Sequence, residues 1–342
     1  MTPGGPDAPP RALADVADSL EAIFDNAVAA TGVVEHRCRV AGRGLRLRFA
    51  GDALVEPLLG AFRHLPTGEG PDDLTVCIWD TASTGTRLPD SPLIPGVDEL
   101  THGPLYRNGD LSFLLQHGDD AMSVLDARRS LAFHCLPDGS PSVHHRGAPL
   151  RVLLSWWLNS VNRHLVHSAA VGRDEGAVLV TGPSGAGKST TALACAHAGF
   201  HYLGDDYVVL APDPPFVHSV YRTAKLERSH RARHLRLLPE VMDSRSDEKA
   251  LGFVADVHLG LPVRAVVLPR VVGSGDTQLV RTTRGRALLA LAPATVLQLP
   301  GESDAALRAM RALIASVPVF ELRLGADIER VPSLLDDLLT QL

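Results

Sequence analysis

Gly182-Pro183-Ser184-Gly185-Ala186-Gly187-Lys188-Ser189 matches the pattern GxxxxGK[ST] at every fixed position. The residues before it, Ala177-Val178-Leu179-Val180-Thr181, form an apolar run of strand length, and residues 190–198 are Ala-rich and helix-forming. Strand, glycine loop and helix in that order is the context in which this pattern cradles phosphate. Glycines let backbone N–H groups converge on phosphate oxygens, and the following helix N-terminus adds positive potential. The motif predicts a nucleoside triphosphate site, read here as ATP with Mg²⁺. Lys188 reaches the β and γ phosphates and the Ser189 hydroxyl ligates the metal, with Gly182, Ser184, Gly185, Ala186, Gly187 and Thr190 lining the loop.

Upstream, residues 165–171 read as a strand, and the turn Gly172-Arg173-Asp174-Glu175-Gly176 joins it to the strand entering the loop. An antiparallel hairpin at this point predicts a mixed sheet rather than an all-parallel one. Downstream, residues 200–203 and 207–210 are short apolar strands flanking Gly204-Asp205-Asp206. One carboxylate of that pair suits Mg²⁺, which takes few protein ligands and keeps water and phosphate oxygens. The other suits proton acceptance from a hydroxyl. Gly-Asp-Asp is also turn composition; the phosphate loop just upstream favours the chemical reading. His167 lies on the strand paired with the loop-entering strand, a topology that brings it toward Asp205 and the γ-phosphate.

The chain has 342 residues, enough for about two domains, with 45% hydrophobic and 21% charged residues. A formal charge of −6 argues against nucleic acid as a partner. No apolar run approaches the roughly 20 residues of a membrane span, and no signal peptide is apparent, so the expected location is cytoplasmic. Cys38, Cys77, Cys135 and Cys195 form no CxxC pair and read as buried reduced thiols. Residues 1–10 are rich in Pro and Gly and read as a disordered tail. Residues 11–148 read as an α+β domain rich in antiparallel strands, for recognition or regulation. It opens with a helix, followed by a hairpin of residues 33–40 and 45–50, a strand at 74–79, a loop over 82–103, and strands at 111–116, 122–125 and 131–136. Residues 149–342 read as the α/β phosphate-loop domain, starting with a helix to about 165. Further strands fall at 217–221, 263–268 and 319–324, and helices at 285–292, 303–316 and 328–342.

The block 165–209 resembles the C-terminal catalytic domain of HPr kinase/phosphorylase. It carries Leu165-Val166-His167-Ser168, the loop at 182–189, and Phe200-His201-Tyr202-Leu203-Gly204-Asp205-Asp206. The resemblance implies a P-loop kinase fold related to ATP-dependent phosphoenolpyruvate carboxykinases. It implies that Asp205 is general base for a serine hydroxyl, that Asp206 assists Mg²⁺ beside Ser189, and that His167 stabilises the carboxylate or the transferring charge. Thr190 stands where HPr kinases usually carry Glu, and the N-terminal domain does not resemble the usual regulatory one. The layout is similar to the HPr kinase-like proteins of peptide natural-product pathways, lasso peptides included, which implies a precursor or product peptide as partner.

Phosphoryl transfer needs cations on the developing charge. Candidates for phosphate or acceptor contacts are Arg222 and Lys225, just after a strand, and Lys249 in a polar loop. The basic run of Arg228, Arg231, Arg233 and Arg236 with His230 and His234 reads as a solvated face. The sequence thus points to an ATP- and Mg²⁺-dependent kinase acting on a serine of a peptide or protein. It leaves open a kinase for a small metabolite and an ATPase switch without transfer, and it is compatible with a homo-oligomer.

Overall fold

The computed structural model describes residues 10–68, 70–87, 98–100, 103–116, 120–227, 240–242, 249–301 and 303–342. The chain divides into two units. The first comprises Met1–Gly60, Pro66–Arg146 and Leu150–Trp157, and the second Ala61–Leu65, Gly147–Pro149 and Leu158–Leu342.

The first unit opens with helix α1 (Pro10–Thr31) and strands β1 (Val33–Val40) and β2 (Arg43–Ala50). β1 and β2 pair antiparallel about Ala41 and Gly42, both at positive φ, the turn geometry that matches strand twist. Arg46 and Arg48 point outward onto Glu35 at 2.6 and 3.2 Å, while Leu45, Leu47 and Phe49 are buried. Helix α2 (Val55–Leu59), β3 (Leu74–Asp80), the one-turn α3 (Thr81–Thr84), β4 (Asp98–Leu100) and β5 (Gly103–Asn108) follow. Next come β6 (Leu111–Gln116), β7 (Ala121–Asp126), β8 (Leu131–Leu136), α4 (Val143–Gly147) and α5 (Arg151–Ser160). The sheet order is β1-β2-β3-β8-β7-β6-β5-β4, antiparallel except that β3 runs parallel to both neighbours. α1 buries Ala17, Leu20, Phe24 and Ala27 against Cys77, Trp79, Phe133 and Cys135. The expected loop over 82–103 misses α3 and the strand pair β4–β5, of which the described residues give the backbone.

The second unit holds β9 (His164–Val166), β10 (Ala169–Arg173), β11 (Gly176–Val180), α6 (Lys188–His197), β12 (His201–Gly204), β13 (Val208–Pro212) and β14 (Pro215–His218). It continues with β15 (Thr223–Glu227), β16 (Glu240–Met242), β17 (Lys249–Phe253), β18 (Gly260–Val271), β19 (Gln278–Arg281), α7 (Arg284–Val296), α8 (Ser303–Ser316), β20 (Val319–Leu324) and α9 (Val331–Gln341). The large sheet runs β12-β10-β11-β18-β14-β13-β9, with β20 on the far half of β18 and β19 on β20. β11 and β20 are parallel to β18, while β10 is antiparallel to β11 and to β12. Architecture and pairing make this a mixed α/β unit. One face buries Ala287, Leu291, Met310 and Leu313 of α7 and α8, and the other Leu193 and Cys195 of α6 with Leu335 and Leu338 of α9. β15, β16 and β17 form a separate small sheet.

Two readings from sequence change. The helix expected to about residue 165 ends at Ser160, and residues 164–166 are strand. The single strand 165–171 is two: β9 pairs with β13, and β10 pairs with β11 and β12. Ser168 N–H turns back onto the Val166 carbonyl at 3.0 Å, taking His167 out of the ladder. All four cysteines are free and buried, and burial pushes each thiol up to about 12. Among the described residues no helix is long and apolar enough to cross a membrane. The expected tail lies outside the described residues, except that Pro10 already starts α1.

Candidate active site

β11 delivers the chain to the glycine loop, and Thr181 N–H continues the pairing onto the Val267 carbonyl of β18 at 3.0 Å. Gly185 and Gly187 then take φ of 80° and 105°, values that disfavour a side chain. At Gly187 a Cβ would also meet Leu324 Cδ1 at 2.4 Å, so the loop closes down on β20 only because that residue has none. α6 begins at Lys188, with Thr191 N–H bonded to the Gly187 carbonyl. The buried Lys188 Nζ donates to the carbonyl oxygens of Gly182 and Pro183 at 2.8 and 3.2 Å. Ser184 and Gly185 are exposed at the tip of the loop, and Ser189 and Thr190 are half-buried behind it.

β12 lies two strands from β11 and runs in the same direction, so Asp205 and Asp206 emerge at the same sheet edge as the loop. Asp205 is 2% exposed. Its Oδ2 accepts the Lys225 backbone N–H at 3.0 Å, and its carboxyl takes a hydrogen bond from the Ser189 side chain. Oδ1 has no partner. Asp206, with 19% of its side chain exposed, is held by His167 Nε2 at 3.1 Å and Lys225 Nζ at 2.5 Å. Both residues lie in a bend just past β12, and there one carboxylate turns inward to the loop serine and its neighbour to two cations.

The electrostatics separate the pair. Burial pushes the Asp205 carboxyl up to about 6, helped by the negative charge of Asp206 and opposed by hydrogen bonds from Lys225 and Ser189. Burial also raises the neighbouring carboxyl, but the His167 hydrogen bond and the Lys225 charge outweigh it and hold Asp206 well below the usual carboxylate range. A raised carboxyl favours the folded state fully below about pH 4 and loses that contribution as pH rises through 6. Asp205→Asn should therefore gain on the wild type by about 2 kcal/mol between pH 4 and pH 7 without nucleotide or metal. Urea unfolding at both pH values measures it; a constant difference between the two proteins would disprove the raised carboxyl.

No protein-family model and no curated protein sequence matches the chain. Solved structures are similar to it. One of them is the HPr(Ser) kinase/phosphatase from Coxiella burnetii, at 12% identity and a TM-score of 0.27, covering 52% of this chain and 95% of that one.

His167 is set by elements far away in sequence. Its N–H donates to Thr295 Oγ1 of α7 at 3.1 Å, and its ring lies 5.4 Å from that of Tyr207. Tyr207 in turn donates to Gln298 at 2.6 Å. Sequence reasoning missed Thr295 and Gln298; Tyr207, next to the aspartates, was in view but unassigned. His167 meets Asp206, where the sequence had suggested Asp205. Lys225 joins the cluster through its pair with Asp206. Arg222 instead lays its guanidinium over the Phe253 ring at 4.7 Å. Lys249 opens strand β17, opposite Glu227, and not a loop. Its polar neighbours 246–248 and the basic run 228–236 lie outside the described residues.

Two features bear on a metal–phosphate group here. The loop packs down on Leu324 because Gly187 has no Cβ, which leaves its other side open, and Asp205 carries a buried oxygen without a partner among the described residues, beside the Ser189 hydroxyl. Among the described residues no group of three His, Cys, Asp or Glu could hold an ion by itself. A hydroxyl and one carboxylate suit Mg²⁺, which completes its shell with water and phosphate oxygens.

Proposed function

We propose that the chain transfers the γ-phosphoryl group of ATP to a hydroxyl, with a serine of a peptide or protein as acceptor. The observation that carries this is the convergence of Lys188 and Ser189 of the glycine loop with Asp205, Asp206, Lys225 and His167 at one sheet edge. Ser189 and Asp205 would hold Mg²⁺, which when bound neutralises the phosphate chain. Lys188 would exchange the Gly182 and Pro183 carbonyls for phosphate oxygens, stronger charge-assisted acceptors. Lys225 and His167 supply donors for the charge that spreads over the transferring group.

The geometry supports dividing the aspartates in the opposite sense to the family-based expectation. Asp205 is interior and faces the loop serine, which suits the metal. Asp206 is the carboxylate with exposed surface, so it can meet an incoming hydroxyl and accept its proton. Its low basicity fits phosphoryl transfer, where the proton leaves late and positioning does most of the work.

Incubation with labelled ATP, Mg²⁺ and serine peptides, free serine and sugars tests the class. Label on a peptide serine is the expected result, label on a metabolite would change the acceptor, and hydrolysis alone would leave an ATPase. Lys188→Ala should abolish turnover and weaken ATP binding in a folded protein. Unchanged calorimetric affinity would remove the site.

A further inference from the structure

A buried carboxylate near the start of α7 gathers three arginines. Glu321 of β20 is 2% exposed, and Arg286, Arg323 and Arg270 reach it at 2.6, 2.9 and 3.9 Å. Val319 and Leu268, two residues before Glu321 and Arg270, pack with Ala287 and Leu291 of α7. Alternation along β20 and β18 therefore puts Glu321, Arg323 and Arg270 on the face that α7 covers, the opposite face from Leu324. The three arginine side chains are nevertheless 54, 46 and 64% exposed. One carboxylate does not neutralise three guanidinium groups, so a positive patch remains at the surface of a chain whose net charge is −6.

α7 leads from this patch to the candidate active site. Its inner side buries Ala287, Leu291 and Thr295, and its outer side carries Arg286, Leu289, Pro293 and Leu297, all exposed. These four positions fall along one line of a helix with 3.6 residues per turn. Leu289 is 76% and Leu297 69% exposed, and α7 has no acidic residue. At the far end, Thr295 Oγ1 takes the His167 N–H. Gln298, next to Leu297, takes the hydroxyl of Tyr207, the residue that follows Asp206. From Arg286 to Leu297 the helix rises about 16 Å. An extended peptide covers that length in about five residues.

We infer that the outer side of α7 docks the peptide acceptor, with an acidic segment of that peptide seated on Arg286, Arg323 and Arg270. Apolar side chains of the peptide would follow Leu289 and Pro293, and the serine would reach Asp206 about five to seven residues from the acidic segment. This rests on the kinase reading above. Charge complementarity selects the occupant: guanidinium groups held by Glu321 keep N–H donors in a fixed plane that matches carboxylates. Contacts this far from the transferring phosphoryl bind ground state and transition state alike, so they act on KM and not on kcat.

Fluorescence anisotropy and initial rates on the full chain with ATP and Mg²⁺ test it. The probes are labelled peptides with three glutamates about five to seven residues before or after a serine, and controls with three glutamines there. One glutamate peptide should bind at least about tenfold more tightly than its control, with KM lower by the same factor and kcat unchanged. Arg286→Gln combined with Arg270→Gln should erase that difference and leave the glutamine peptide as it was. Arg270→Gln alone, which keeps the two shorter pairs to Glu321 and so protects folding, should remove part of it. Equal affinity for glutamate and glutamine peptides would overturn the docking surface, and so would a preference that survives in the variants. Binding of phosphatidylserine vesicles through these arginines, with no preference among peptides, would assign the face to a membrane instead and overturn it too. A glutamate peptide held through the arginines but never phosphorylated would keep the docking surface and remove the kinase reading.

Discussion

Asp206→Asn should leave ATP affinity near normal and lower phosphoryl transfer by about 10²–10⁴-fold, the usual contribution of a positioned base. Asparagine keeps the shape and can still accept a hydrogen bond from His167, but it cannot take the acceptor proton, and it leaves Lys225 without its 2.5 Å counter-charge. Asp205→Asn should behave differently. It removes a carboxylate beside Ser189, so the Mg²⁺ titration should move to higher concentration with nucleotide binding weakened alongside. Single-turnover transfer and Mg²⁺ titrations of both variants separate the roles. If Asp205→Asn loses transfer at saturating metal while Asp206→Asn does not, the aspartates exchange places and the kinase remains. Normal transfer by both variants would end the kinase reading.

Stability should fall by a few kcal/mol as pH drops from 7 to 5. Burial pushes His134 down to about 3, and His64, His164 and His218 down to about 4. A histidine kept neutral in the folded state contributes fully above its unfolded value near 6.5, and loses that contribution as pH falls. His134, 1% exposed, is worth about 2 kcal/mol over this interval. His164, 3% exposed, is worth about 2 as well, and His64 and His218 about 1 each, because they are only half-buried and partly screened. Asp205 opposes by about 1 kcal/mol, because acidification relieves its buried charge. The net loss, on the order of 5 kcal/mol, is a large share of ordinary stability. Denaturant melts at pH 7 and 5 should move accordingly, and unfolding at pH 5 should take up protons. A flat profile would mean that these imidazoles are protonated in the folded chain.

The glycine loop was legible because its requirement is contiguous: glycine at the positive-φ positions 185 and 187, lysine and serine at the helix start. The β10–β11 hairpin was legible from its turn, and β20 was legible to the residue because apolar alternation sets a strand locally. The break at His167 was not, since residues 165–171 are apolar on both sides and only pairing with β13, some forty residues later, pulls the first half away. Thr295 reaches His167 across 128 residues, and no local pattern announces such a contact. Glu321 was read only as part of a strand; its burial became visible with the three arginines around it.

Leu324 beneath Gly187 has a bearing on how the protein is made. The loop and its helix are synthesised well before the strand they rest on, and β18, which pairs with β11, comes some eighty residues after it. Such long-range closure is slow and comes late in folding. A nascent chain that already carries the whole motif therefore has no finished loop, and its shape is completed only when β20 is in place. A chain truncated before residue 319 would retain every residue of the motif without the floor that shapes it.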